Sequence, residues 1–178
     1  LHKIIQIIME WQGHHLHQFI INGQYYTDIS DQEDWESESE DEFAYNLKSL
    51  KLKTGSKFKY DYDFGDDWRH TLILEEILPS QKGVRYPICI KGKNACPPDD
   101  VGGPMGYKNL LAAIKDPNHI EHESTMIWMD TDFDPEAFDL EDVNQELFQY
   151  AYKNWPLNVE FTYKYWLPRG PMLDHGQL

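Results

Sequence analysis

The residues best equipped for chemistry gather between positions 60 and 70, where Asp61, Asp63, Asp66 and Asp67 are followed by Arg69 and His70. Clustered carboxylates beside a histidine are what a divalent cation and a hydrolytic water need. Asp63, Asp66, Asp67 and His70 are therefore the candidate catalytic set. Gly65-Asp66-Asp67 is also ordinary turn chemistry, because Asp side chains accept from nearby backbone N–H groups, and Arg69 offsets the charge.

A second group lies in the stretch from Ala95 to Tyr107, which contains Pro97-Pro98-Asp99-Asp100-Val101-Gly102-Gly103. Two glycines ahead of a helix let a backbone approach an anion closely, but Asp99 and Asp100 would repel a phosphate. They suit a cation, a Lys or Arg of a partner, or the helix N-terminus. Capping with tight loop packing is the favoured reading. Asp99, Asp100, Gly102, Gly103 and Tyr107, with Trp68 from the hairpin, are the candidate binding residues.

Metal-ligand types occur in two further places. Cys89 and Cys96 could hold zinc only with partners such as His119 and His122, since structural zinc takes four ligands in paired short spacings. Two buried thiols are the plainer reading. His15 and His17 share one face of a strand and could form a two-histidine clamp, although such residues more often sit hydrogen-bonded in a core. No cofactor is expected, with a divalent cation the one admissible exception.

The elements that must position these groups are read from periodicity. Leu1, Ile4, Ile5 and Ile8 make one face of a helix. With no N-cap ahead of it, the chain is expected to lack an upstream segment. Asn22-Gly23 predicts a type I′ hairpin over 17–26. Phe58, Tyr60, Tyr62 and Phe64 alternate with charged residues, then Trp68, His70, Leu72 and Leu74 follow a turn, which predicts a long hairpin over 57–77 with Asp61 and Asp63 on one face. Helices are predicted after Gly103, over 119–129, and after Asp139 as N-cap, with a late strand over 158–166. Residues 28–42 hold nine acids and read as a solvated, mobile loop. The fold class is α+β: a largely antiparallel sheet with long hairpins, helices packed on one face, and a single domain over 1–167 followed by a tail.

The formal net charge of −15 disfavours general nucleic-acid binding. One basic strip, Lys48, Lys51, Lys53, Lys57 and Lys59, interleaves with Phe58 and Tyr60. It supports a nucleic-acid accessory role weakly, since lysines on a strand also guard sheet edges. Two cysteines make no disulfide framework, and no apolar run reaches membrane-helix length. A cytoplasmic protein without a membrane span is expected.

Trp11, His15-Leu16-His17, the 60–70 block Tyr-Asp-Tyr-Asp-Phe-Gly-Asp-Asp-Trp-Arg-His, Tyr86-Pro87, the 95–103 block Ala-Cys-Pro-Pro-Asp-Asp-Val-Gly-Gly and Phe133-Asp134-Pro135 together resemble the plasmid pRiA4b ORF-3-like proteins. The likeness spans roughly residues 1–150. It implies kinship with proteins carried on plasmids and insertion elements, and a strand ahead of the first helix that is not in this sequence. It supplies no catalytic residue. Many members are expected to carry a further Cys where Val101 stands, which weakens a metal role for the cysteines. The reading is a non-enzymatic module for an unknown protein partner, its aromatic hairpin and Pro-Pro-Asp-Asp loop sharing one surface. A metal-dependent hydrolase or nuclease-like enzyme is the alternative.

Overall fold

The computed structural model describes residues 1–30, 38–129 and 133–154. Helix α1 spans His2–Met9, and two hairpins follow. Strands β1 (His17–Ile21) and β2 (Gln24–Thr27) turn through Asn22 and Gly23, whose φ values of 53° and 83° suit the type I′ geometry. Strands β4 (Lys57–Tyr62) and β5 (Trp68–Ile73) form the second. Between them, the two-residue strand β3 (Glu40–Asp41) adds in parallel to β2, giving the order β3-β2-β1-β4-β5. The sheet is thus mostly antiparallel, and the class is α+β. Helices α2 (Gly103–Lys115), α3 (His122–Met129) and α4 (Leu140–Asn154) complete the chain.

Alternation sends Phe19, Ile21, Phe58, Tyr60, Tyr62, Trp68 and Leu72 to one face, where they meet Ile5, Met9 and Trp11 of the α1 segment and Leu110 of α2. The rings stack closely: Trp11 lies 4.7 Å from Tyr62 at 20°. The Tyr60 hydroxyl sits deep in this core and needs partners. It accepts from Gln6 Nε2 at 2.9 Å and meets His2 Nδ1 at 2.8 Å. A smaller cluster joins Ile8, Cys89, Val143 and Leu147, and so ties α1 to α4. Asp139 caps α4 as expected, its Oδ1 accepting from Glu141 and Asp142 N–H at 2.9 Å.

Four expectations need correction. The second hairpin ends at Ile73, short of residue 77. Helix α3 begins at His122, because residues 116–121 close turns from His119 N–H to Asp116 O and from His122 N–H to His119 O. Part of the acidic stretch is held: β3 pairs with β2, and Glu42 Oε2 bonds His17 Nε2 at 3.0 Å. The lysines of β4 do not guard an edge, since β4 lies between β1 and β5. The expected strand over 158–166 and the tail lie outside the described residues, as does 31–37 of the acidic stretch.

Candidate functional site around the 97–103 loop

The tip of the second hairpin is built by Asp63. Its φ of 53° takes the chain out of the strand, so Asp63 does not share a strand face with Asp61, and Phe64 swings into solvent. An aspartate tolerates this left-handed conformation better than most residues because its side chain bonds locally. Here Oδ1 accepts from Gly65 N–H at 2.9 Å and Asp66 N–H at 3.2 Å, while the backbone N–H donates to Leu16 O. The rest of the proposed catalytic set diverges. Asp67 pairs with Arg69 at 2.7 Å on the surface. Asp66 reaches away to the Gly102 N–H at 3.0 Å. His70 is packed edge-on to Trp11 with Nδ1 3.2 Å from Tyr60 O, and burial lowers its pKa. Asp63, Asp66, Asp67 and His70 therefore do not assemble around one substrate position.

The 97–103 loop is clamped onto this tip. Trp11 Nε1 donates to Pro97 O at 2.9 Å, and Gln12 N–H donates to Asp99 Oδ2 at 3.2 Å. Helix α2 begins at Gly103 after Gly102 with no side-chain cap, so neither Asp99 nor Asp100 caps it; the Gly102 N–H is met instead by the Asp66 carboxylate across the hairpin. Gly103, at φ 68°, packs so closely that a Cβ there would lie 2.2 Å from Asp66 O. The glycine pair thus serves backbone-to-backbone docking. Trp68 and Tyr107 are buried in the core, and burial raises the Tyr107 pKa, so neither offers a binding surface.

What the clamp delivers is Asp100, at φ 58°, beside His15. His15 Nε2 lies 3.3 Å from Asp100 Oδ1, and Nδ1 lies 3.7 Å from Asp63 Oδ2. His15 rests edge-on against the Tyr62 ring at 5.7 Å. Burial pushes the Tyr62 hydroxyl up to about 12. Among the described residues these three make the one group whose ligand atoms all lie within 4.8 Å of each other.

On its other side the loop borders an open cleft of about 330 Å³ between α2 and α3, whose lining includes Asp100, Val101, Asn109, Leu110, Glu121 and Trp128. Asn109 Nδ2 donates to Glu121 Oε2 across it. Helix α3 has no buried residue, yet Ile127 is 74% and Trp128 51% exposed, and the preceding Ile120 is 96% exposed. Exposed apolar side chains mark interaction surfaces when they adjoin one another.

The remaining candidates separate. Cys89 lies in the smaller cluster, where Asn144 bonds its backbone N–H and C=O at 2.8 Å each, while Cys96 belongs to the main core. His122 Nδ1 meets Ala113 O at 2.7 Å and His119 Nδ1 accepts from Glu121 N–H, so no four-ligand zinc set forms among the described residues. His17 turns away from His15 to stack on His2, ring centroids 3.6 Å apart, and the two-histidine clamp does not form. Lys57 and Lys59 stand on the outer sheet face, apart from the loop. Sequence reasoning missed the pairing of His15 with Asp63 and the bare apolar side chains of α3. The second was readable: Met126-Ile127-Trp128-Met129 has four adjacent apolar residues, which no single helix face can bury.

Residues 1–142 match the family model of the plasmid pRiA4b ORF-3-like proteins. The uncharacterized protein y4hQ of Sinorhizobium fredii (strain NBRC 101917 / NGR234) is 35% identical over 158 residues, covering 86% of this chain and 78% of the relative. A crystal structure of a protein of unknown function, MM3350 from Methanosarcina mazei Go1, has a TM-score of 0.70 at 38% identity and covers 79% of each chain.

Proposed function

The chain belongs to the plasmid pRiA4b ORF-3-like protein family, and from that premise we propose that it is a protein-interaction module that receives a cationic, amphipathic segment of its partner in the cleft between the 97–103 loop, α2 and α3. The observation that carries this reading is the bare apolar surface of α3, with Trp128 on the cleft and Ile127 beside it in water. The cleft pairs an apolar floor, Val101 and Leu110, with carboxylates at Asp100 and Glu121. Such a lining suits a helix that carries leucine-like side chains on one face and Lys or Arg on its border. The net charge of −15 adds long-range attraction for the same partner. The aromatic hairpin takes no direct part, since its rings fill the core; it contributes by holding the loop in place. The lysine-strip and hydrolase readings gain no comparable support.

The test uses a fluorescently labelled synthetic peptide, a Leu/Lys amphipathic helix of about 18 residues, and a scrambled peptide of equal charge that cannot form an apolar face. Anisotropy titrations at about 150 mM salt suppress purely electrostatic attraction. The amphipathic peptide should saturate the protein at one to one, and Trp128→Ala should weaken binding about ten-fold or more, about 1.4 kcal/mol. Equal binding of the scrambled peptide, or an unaltered affinity in Trp128→Ala, would count against the cleft.

A further inference from the structure

We propose that His15, Asp63 and Asp100 form a binding site for one divalent transition-metal ion of the zinc type, which shares only Asp100 with the peptide cleft. Three segments supply the ligands: the link between α1 and β1, the tip of the second hairpin, and the 97–103 loop. The decisive residue is Asp63, which is only 8% exposed. Its Oδ1 is doubly satisfied by the turn. Its Oδ2 faces His15 Nδ1 at 3.7 Å, beyond hydrogen-bonding distance. That oxygen is placed to take a cation shared with His15.

The donor set selects the kind of ion. Calcium and magnesium take oxygen ligands, whereas an imidazole with two carboxylates suits zinc and its first-row neighbours. Zinc bound at about 2.0–2.2 Å in a tetrahedron separates its ligand atoms by about 3.4 Å. The three residues offer ligand atoms within 4.8 Å of one another, so a small movement brings them to that spacing. The two acids now face different ring nitrogens of His15, so the ion takes one nitrogen and the exposed Asp100 swings around to complete the set. Asp63 and His15 are the fixed part, held by the turn and by the Tyr62 ring. Three protein ligands leave a fourth position for water, as in sites where zinc acts as a Lewis acid. The competing arrangement is a His15 held between the two carboxylates with no ion among them.

The experiment titrates the full chain with cobalt(II), whose visible absorption reports coordination geometry and intensity, and measures zinc by elemental analysis after dialysis. The informative variant is Asp63→Asn. Asparagine keeps the left-handed turn through its own Oδ1 but replaces the spare oxygen with an amide that cannot ligate. Asp100→Asn is an exposed second variant that tests the site even if the first perturbs folding. The site predicts one cobalt per chain and about a ten-fold or larger loss of affinity in each variant, while the peptide affinity of Asp63→Asn stays at the wild-type value. Absence of saturable binding, or wild-type affinity in Asp100→Asn or in a folded Asp63→Asn, overturns the proposal. Peptide binding is read in Asp63→Asn, whose residue lies outside the cleft, so either proposal can fail without the other.

Discussion

Substituting Gly103 by alanine tests whether the hairpin tip and the 97–103 loop form one rigid unit. Two costs combine at this position. A side chain at φ 68° carries the strain of the left-handed region, about 1–2 kcal/mol. The added Cβ would also stand 2.2 Å from Asp66 O, a backbone atom that cannot rotate away. The tip must retreat, and the bond from Gly102 N–H to the Asp66 carboxylate stretches or breaks, about 1–2 kcal/mol more for a charge-assisted bond near the surface. The expected loss is therefore about 2–4 kcal/mol. For a chain of this size that lowers Tm by about 5–15 °C. Gly83→Ala supplies the comparison, because Gly83 has φ 82° but nothing within 4 Å of where a Cβ would stand, so it carries the backbone strain alone. Urea unfolding followed by the fluorescence of buried Trp11 and Trp68 gives both values. If Gly103→Ala costs no more than Gly83→Ala, the close docking of loop on hairpin is not what holds the site.

Acid should destabilise the fold through its buried histidines. Burial, with the neighbouring His17 adding to it, lowers the His2 pKa to about 3, and burial also lowers that of His70, while the unfolded chain titrates near 6.5. The unfolded state then binds more protons below neutrality, so this contribution is complete above about pH 7 and shrinks as pH falls through 6.5 toward the folded values. The slope approaches about 1.4 kcal/mol per pH unit for each histidine. Urea midpoints at pH 7.5, 6.5 and 5.5 should fall in that order, and His70→Gln should flatten the decline; a flat wild-type profile would contradict the burial argument. Asn144→Ala removes both bonds from its side chain to the Cys89 backbone beside the smaller cluster. It should cost about 1–3 kcal/mol in the same unfolding assay, and a loss under about 0.5 kcal/mol would show that water replaces the side chain.

What was legible in the sequence is what local periodicity and turn chemistry decide. The aromatic alternation of β4, the Asn22-Gly23 turn and the Asp139 cap are all local signals, and the structure contains each. The alternation misplaced Phe64 because the Asp63 side chain bonds the next two N–H groups and turns the chain out of register after Tyr62. The same local bonding removed Asp63 from the strand face assigned to it. Long-range partners were not legible. That Asp66 rather than Asp99 or Asp100 meets the Gly102 N–H ahead of α2 depends on a contact spanning 36 residues. His15 was sorted with His17 by spacing, but His17 follows the strand into the core while His15, just before β1, faces the hairpin tip. The lysines of β4 were given an edge role because nothing in their own segment shows that β1 and β5 flank it.

Amide chemical shifts of the nitrogen-15 labelled chain, recorded while the amphipathic Leu/Lys peptide is added, test the working surface most directly. The perturbed amides should cluster on Val101, Asn109, Glu121, Ser124, Thr125 and Trp128, around the cleft. Perturbations spread over acidic residues far from α3, or centred on the outer sheet face at Lys57 and Lys59, would contradict a peptide-binding cleft.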